Sequence, residues 1–314
     1  MNALLLRPVH SRAMWRIAGL AVLAWAVATS AAAANEPATK HVVTFDRRPA
    51  VGQAYKFTCS YKRAQTAPFA GPKKREPWKR LHVAHCEGIW TPLEVGKDGK
   101  TTKVVFTVER FVYQLNADPE QSIPRGTTFT SELKDGKTVL AMSGGEVPEA
   151  MRLVLEQFMF LGSGSISADE RFGTKVPRAV GEEWPMSAAA TAAGFRALGS
   201  NVDEKEIAGI VKLSGLREED GAKCFVIESE YRAANVTPKV PQADRPDAES
   251  EFHEWATVVL PVQESRIRAS FSIVNECTTR YTSKSKDGSA APVVEASRVE
   301  FHQHSVPVGG AAAS

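Results

Sequence analysis

The stretch Tyr55-Lys56-Phe57-Thr58-Cys59-Ser60-Tyr61-Lys62 decides the fold class of this chain. Its aromatic residues and its cysteine alternate with lysines and hydroxyl residues, which is the two-residue period of a β-strand with one buried face. Similar runs follow along most of the chain. They cover residues 81–95, 102–115, 126–134, 137–142, 207–216, 224–232, 252–261, 266–283 and 293–304.

Turn signals between these runs indicate hairpins. Asp135-Gly136 and Glu219-Asp220-Gly221 each stand between two strand-like runs, and Asp-Gly is a strong signal for a tight hairpin. The alternation of residues 102–115 slips near Arg110, which predicts a bulge. Successive hairpins of this kind favour an antiparallel sheet.

One segment has a helical period. Val147, Met151, Val154, Leu155, Phe158 and Met159 recur at helical spacing after Pro148, which predicts an amphipathic helix over residues 147–161. A weaker helix is predicted over 187–198. The fold class is therefore α+β, a predominantly antiparallel, curved, half-barrel-like sheet with one main amphipathic helix packed on it.

The N-terminus has the pattern of a secretory signal peptide. Arg7, Arg12 and Arg16 precede a twelve-residue apolar run, 17–28, and Ala32-Ala33-Ala34 stands before Asn35. A basic start, a short apolar core and a small-x-small end predict cleavage after residue 34. The alternative is an uncleaved membrane anchor. Export predicts a periplasmic or secreted bacterial protein that meets the membrane only through the signal segment.

Charge excludes one class of partner. The chain has 39 basic and 36 acidic residues, and the first 34 residues hold three arginines and no acid. The mature chain therefore has equal numbers of each, without the basic surplus expected of a nucleic-acid-binding protein.

We expect one β-rich domain over residues 35–305. Mobile loops are predicted near 66–79 and 235–250, and a disordered tail over 306–314. Residues 73–80 form a basic loop, interpreted as solvated, with contact to anionic lipid or envelope polymer as the alternative.

The mature chain has four cysteines, Cys59, Cys86, Cys224 and Cys277. An even number in an exported protein suggests two disulfides, for which three pairings are available. We predict Cys59–Cys86 and Cys224–Cys277, because each pair would join strands that are close in sequence.

No motif predicts catalysis, a metal site or a cofactor. His82 and His85 would point to opposite faces of a strand, and His302 with His304 provides fewer ligands than zinc needs. Ser131-Glu132-Leu133-Lys134 matches S-x-x-K but lies on a strand without the companion motifs of serine acylases.

The order of elements carries a resemblance. The hairpin at Asp135-Gly136 and the amphipathic helix precede Pro177, Val180, Gly181, Glu182 and Trp184, which fit P-x-x-V-G-[DE]-x-W. This resembles exported bacterial β-rich proteins of uncharacterised function and is loosely similar to periplasmic carriers of the LolA/LolB type. The resemblance implies a curved sheet with a helix in its mouth and no catalytic residues.

These observations favour an exported, non-catalytic binding or carrier module for a lipid or another apolar or amphipathic ligand. The expected pocket has a volume of roughly 300–1,000 Å³, with Met151, Phe158 and Met159 at its rim. The first alternative is a structural component of the cell envelope with a protein partner, and the second is a hydrolase whose site is not visible in the sequence. The candidate pocket residues are Tyr55, Phe57, Tyr61, Met151, Phe158, Met159, Phe271 and Ile273.

Overall fold

The computed structural model describes residues 39–67, 78–97, 99–161, 166–239, 245, 247–284 and 290–309. The predicted signal peptide, the basic residues 73–75 and most of the predicted C-terminal tail lie outside the described residues, so the predictions about them stay predictions. Within the described ranges, no helix is both long and apolar enough to cross a membrane.

Strands dominate the described residues. They are β1 (Lys40–Val43), β2 (Tyr55–Ala67), β3 (Trp78–Val95), β4 (Thr101–Leu115), β5 (Gln121–Ile123), β6 (Thr128–Lys134), β7 (Lys137–Met142), β8 (Thr174–Ala179), β9 (Glu183–Pro185), β10 (Ser200–Asn201), β11 (Ile207–Glu219), β12 (Ala222–Pro238), β13 (Glu249–Pro261), β14 (Ser270–Lys284) and β15 (Ala290–Pro307).

The helices are short. They are α1 (Glu149–Met159), α2 (Ala168–Phe172), α3 (Ala188–Ala197) and a 3-10 turn at Glu204–Glu206. Helix α2 begins with a capping box, in which the Ser167 side chain accepts from the Glu170 amide and the Glu170 carboxylate accepts from the Ser167 amide. Such reciprocal bonds satisfy amides that have no partner inside the helix.

Thirteen of the described strands form one open antiparallel sheet. The path is β7-β6-β4-β3-β2-β15-β14-β13-β12-β11-β9, with β5 beside β4 and β10 beside β12, while β1 and β8 form a separate pair. The predicted fold class is confirmed. We call β2–β7 with α1 the first wing and β9–β15 the second wing; β2 and β15 join them at the middle of the sheet.

The predicted turns and bulge are present. Asp135 and Gly136 connect β6 to β7, and Asp220 and Gly221 connect β11 to β12, all with positive φ. Two consecutive residues with positive φ match the twist of a tight hairpin. The register between β3 and β4 shifts at Glu109, next to the predicted position.

Helix α1 covers part of the first wing's inner face. The helix side chains that are fully buried, as the apolar stripe predicted, are Met151, Val154, Leu155 and Met159. Together with the aromatic side chains of the strands they form the first apolar cluster. The P-x-x-V-G-[DE]-x-W element also has the expected form, because Gly181 turns with φ of 91°.

A second apolar cluster lies in the other wing. It contains Trp184, Val211, Leu213, Ile227 and Leu260. Trp184 is buried, and its Nε1 donates to the Phe172 carbonyl at 2.8 Å, which fixes the short strand β9. Phe271 packs against both clusters.

The predicted Cys224–Cys277 disulfide is wrong, because both cysteines are free. Cys224 is paired with Pro261 and Cys277 with Phe252 on the intervening strand β13. Those positions are about 30 Å apart along the strand, and their odd separation places them on opposite faces. Cys59–Cys86 is present, with a Cα–Cα distance of 5.2 Å.

Two predicted loop boundaries also need correction. Strand β12 continues to Pro238 and β13 begins at Glu249, so the connection between them is shorter than the predicted 235–250. Val306 and Pro307, which were predicted to lie in the disordered tail, pair with β2. The proline-rich and Gly/Ala-rich composition of these segments concealed the strand ends.

Candidate functional site

A cavity of about 480 Å³ lies against both apolar clusters. The wall of the cavity contains side chains of both wings and of the segments that lead into β2 and β14. One group of these side chains is apolar, and a second group is polar or charged. The apolar members include Phe45, Phe57, Trp90, Phe158, Phe271 and Ile273, and the polar members include Asp46, Arg47, Arg171, Glu254, Arg268 and Gln303.

The aromatic part of the wall is held by ring contacts. The Phe158 ring stacks on Phe57 at a centroid distance of 4.6 Å and meets the edge of Phe106 at 5.1 Å. Phe271 packs against Phe301 at 6.3 Å. Such pairs add to the free energy gained from burial, so these ring contacts stabilise the aromatic part of the cavity wall.

Arg268 is a cation in the cavity wall with no oppositely charged side chain beside it among the described residues. Its guanidinium lies over the Phe271 ring, 4.6 Å from the centroid, and no side chain of the described residues accepts a hydrogen bond from it. Burial, together with the nearby charge of Arg47, lowers its pKa to about 10. A cation that is desolvated beside another cation is costly unless an anion approaches it.

Arg47, by contrast, is held by the protein. Its guanidinium donates to the carbonyls of Pro261 at 2.9 Å and Thr44 at 2.6 Å. Burial lowers its pKa, while the carboxylates of Glu264 and Asp169 oppose that shift. Arg47 therefore fixes the segment before β2 against the end of β13.

A separate acidic position lies on β13. Burial raises the pKa of Glu254, and the charge of Arg171 opposes this shift. The Tyr231 hydroxyl donates to Glu254 Oε2 at 3.2 Å, and the Arg171 guanidinium lies 5.6 Å from the Tyr231 ring centroid. Burial raises the pKa of Tyr231 as well, so this phenol stays protonated.

The acidic and basic positions are at different places along the sheet. The Ala269 amide, next to Arg268, donates to the carbonyl of Val259, which is five residues after Glu254 on β13. Five residues of a strand span about 17 Å. Glu254 and Arg268 therefore start from separate backbone positions, and neither charge perturbs the pKa of the other.

Gln303 adds an unsatisfied acceptor. It is paired with Phe271 across β14 and β15, and its Oε1 is buried without a hydrogen-bond partner among the described residues. An unpaired buried carboxamide oxygen is costly, and a ligand or an ordered water in the cavity would satisfy it.

The structure brings four of the eight candidate pocket residues to the cavity, namely Phe57, Phe158, Phe271 and Ile273. Tyr55 packs on Trp90, and Tyr61 packs on His82. Neither tyrosine lines the cavity.

The expectation that Met151 and Met159 lie at the rim is wrong. Both are fully buried in the first cluster, because they occupy the centre of the apolar stripe of α1. Phe158 lies at the edge of that stripe and is the helix residue that reaches the cavity.

The sequence interpretation missed the charged residues. Glu254 shares the inward face of β13 with Phe252, Ala256 and Val258, so a carboxylate among apolar inward positions was a readable signal. Arg268 gave no such signal, because alternation with Ile267 and Ala269 assigned it to the solvent face. The strand begins only at Ser270, so the alternation does not apply there.

Other residues considered for chemistry are explained by local contacts. The His304 ring lies 3.4 Å from a Glu219 oxygen and 3.2 Å from an Asp220 oxygen, so these three residues form a small cluster at the turn between β11 and β12. His302 bonds to Ser272, and His85 bonds to Glu87. The Ser131 hydroxyl donates to the Met159 carbonyl at 2.6 Å and is buried, which makes it a structural contact.

No family model and no curated protein matches this chain. Among solved structures, a lipovitellin structure titled for its lipid–protein interactions matches with 10% identity and a TM-score of 0.35, over 84% of this chain and 27% of that one. A mutant Rh. blastica porin matches with 10% identity and a TM-score of 0.18, over 80% of this chain and 99% of the porin. This chain thus spans about a quarter of the lipovitellin chain, and neither likeness carries a functional argument. The resemblance to LolA/LolB-type carriers stays a prediction.

Proposed function

We propose that the protein is an exported, non-catalytic binding or carrier module for an apolar or amphipathic ligand. The observation that carries this proposal is the cavity of about 480 Å³. Its volume is within the range of small-molecule sites, and its wall combines twelve apolar residues with eight polar or charged ones, as an amphipathic ligand requires. Export rests on the signal-peptide pattern of residues 1–34.

The cavity also separates the proposal from its alternatives. A purely structural envelope component would need no concave site of this size, whereas clefts of this volume are typical of small-molecule sites. A hydrolase would bring a nucleophile, a base and a stabilising donor to one point. The charged groups described for this cavity come from separate elements, namely the segments before β2 and β14, helix α2 and strand β13.

The test is binding of an apolar fluorescent probe, together with native mass spectrometry of protein isolated from its own envelope. Ile273 on β14 lines the cavity. Its neighbour Val274 points to the other face of β14 and lines a separate groove, together with Trp255 of β13. We therefore expect Ile273→Phe to weaken probe binding by about tenfold or more, because the added ring occupies the ligand volume. Val274→Phe, the matched control, should leave the affinity within about threefold.

Equal effects of the two variants would place the probe outside the cavity and contradict the proposal. The same conclusion follows if the wild type shows no probe response and no co-purifying ligand. Thermal unfolding of both variants, monitored by circular dichroism, checks that each is folded.

A further inference from the structure

The charge distribution of the cavity indicates what kind of ligand it accepts. Arg268 lies in the wall beside Phe271 and Ile267, and its guanidinium has no carboxylate partner among the described residues. Every other charged group discussed for this cavity has an opposite charge nearby: Arg47 has Glu264 and Asp169, and Arg171 has Glu254.

We propose that the ligand is an amphipath with an anionic head group, and that Arg268 binds this head while Phe57, Phe158 and Phe271 contact the apolar part. This inference rests on the proposed function. It adds the sign of the head group and the orientation of the ligand.

The chemistry of arginine supports the assignment. A guanidinium presents several donors in a fixed plane, which matches the oxygens of a carboxylate or a phosphate. Its guanidinium carbon lies 4.6 Å from the centroid of the Phe271 ring, and an aromatic face offers the N–H groups no oxygen acceptor. The desolvation that lowers the pKa of Arg268 to about 10 still leaves it charged at neutral pH, so the cation is present when the ligand arrives.

The other inner cation of this wall already has a carboxylate beside it. Arg171 and Glu254 line the same cavity, and the charge of Arg171 opposes the rise in the pKa of Glu254. Arg268 has no carboxylate beside it among the described residues. The anionic head is therefore assigned to Arg268 and the apolar part to the aromatic wall.

The experiment compares laurate with 1-dodecanol, which have the same alkyl chain and differ in head-group charge. Each displaces the apolar probe from the full chain at concentrations below micelle formation, and inorganic phosphate is titrated separately as an anion without a tail. We expect the wild type to bind laurate about tenfold or more tighter than dodecanol. The reason is that a hydrogen bond to a charged group contributes more free energy of binding than a hydrogen bond between neutral groups. Inorganic phosphate alone should not displace the probe.

The variant Arg268→Gln should weaken laurate binding by about tenfold or more and leave dodecanol within about threefold. The matched control is Arg280→Gln, which removes the same charge from an exposed arginine paired with Glu251. It should change neither affinity. Circular dichroism and an unchanged probe affinity for Arg268→Gln would show that this variant is folded.

Two results would overturn the inference in distinguishable ways. If laurate and dodecanol bind equally well and Arg268→Gln affects neither, the ligand head is not an anion at Arg268, and the proposed binding function stands. If neither amphipath displaces the bound probe, or phosphate displaces it as well as laurate does, the inference fails, whereas the proposed function fails only if the probe itself does not bind in the cavity.

Discussion

Removal of the Cys59–Cys86 disulfide tests the organisation of the first wing. The two cysteines are directly opposite each other on β2 and β3 and are buried. The bond closes a loop with a sequence separation of 27. The chain-entropy relation gives about 3.5 kcal/mol for a loop of this length at 25 °C. We expect the double variant Cys59→Ala/Cys86→Ala to lose at least this much of the free energy of unfolding, because deletion of two buried sulfurs adds a packing loss.

The assay is urea unfolding of the oxidised wild type, the reduced wild type and the double variant. Far-UV circular dichroism monitors the loss of the sheet as a whole, and tryptophan fluorescence, to which Trp90 beside Tyr55 contributes, provides a second signal. Cys277→Ser, which alters an unbridged and partly exposed cysteine, is the control and should unfold as the wild type does. A loss below about 1 kcal/mol in the double variant, or a bridged Cys224 peptide in the mass spectrum, would refute this account of the disulfide.

Gly88→Ala should destabilise the protein by about 1–3 kcal/mol in urea unfolding, because a Cβ there would overlap the Thr107 carbonyl oxygen and approach the Phe106 ring within 2.7 Å. In the folded protein a maleimide should label Cys277 and spare Cys224, which is buried and whose pKa burial raises; mass spectrometry counts the labels. Burial lowers the pKa of the His82 imidazole from 6.5, so the unfolded chain binds a proton at His82 more readily than the folded protein does. The free energy of unfolding of the wild type should therefore fall, relative to that of His82→Phe, as the pH drops below 6.5.

Each of these has a control and an opposing result. Gly215→Ala, on a strand where a Cβ meets nothing within 4 Å, should be close to neutral, and equal losses at Gly88 and Gly215 would contradict the steric argument. Labelling of Cys224 at the rate of Cys277 would mean that β12 opens readily. A stability difference between wild type and His82→Phe that does not change with pH would show that His82 keeps its ordinary pKa.

Much of the fold was readable from the sequence because alternation directly reports one buried face. The run at Tyr55 predicted β2, and the two Asp-Gly turns predicted the hairpins that follow them. The stripe of α1 predicted its burial, since helical spacing and an apolar partner surface agree. These are local signals, and the structure preserves them.

The site was less predictable because it depends on how distant segments meet. Phe271 and Ile273 were identified as apolar inward residues, but nothing local showed that Arg268 lies in the same wall before the strand begins. The Cys224–Cys277 error has a similar origin. Closeness in sequence suggested a bridge, whereas the register across β13 places the two cysteines far apart.

The pairing of β2 with β15 has a consequence for folding. Each wing is a series of hairpins that close short loops, whereas β2 and β15 come from opposite ends of the described chain, so their contact closes by far the longest loop in the sheet. Loop-closure entropy makes such contacts late events. Phe57 on β2 and Phe271 on β14 line the cavity from the two sides of the contact between β2 and β15. The wings should therefore form first as independent meanders, and the cavity should form only when β15 docks against β2 at the centre of the sheet.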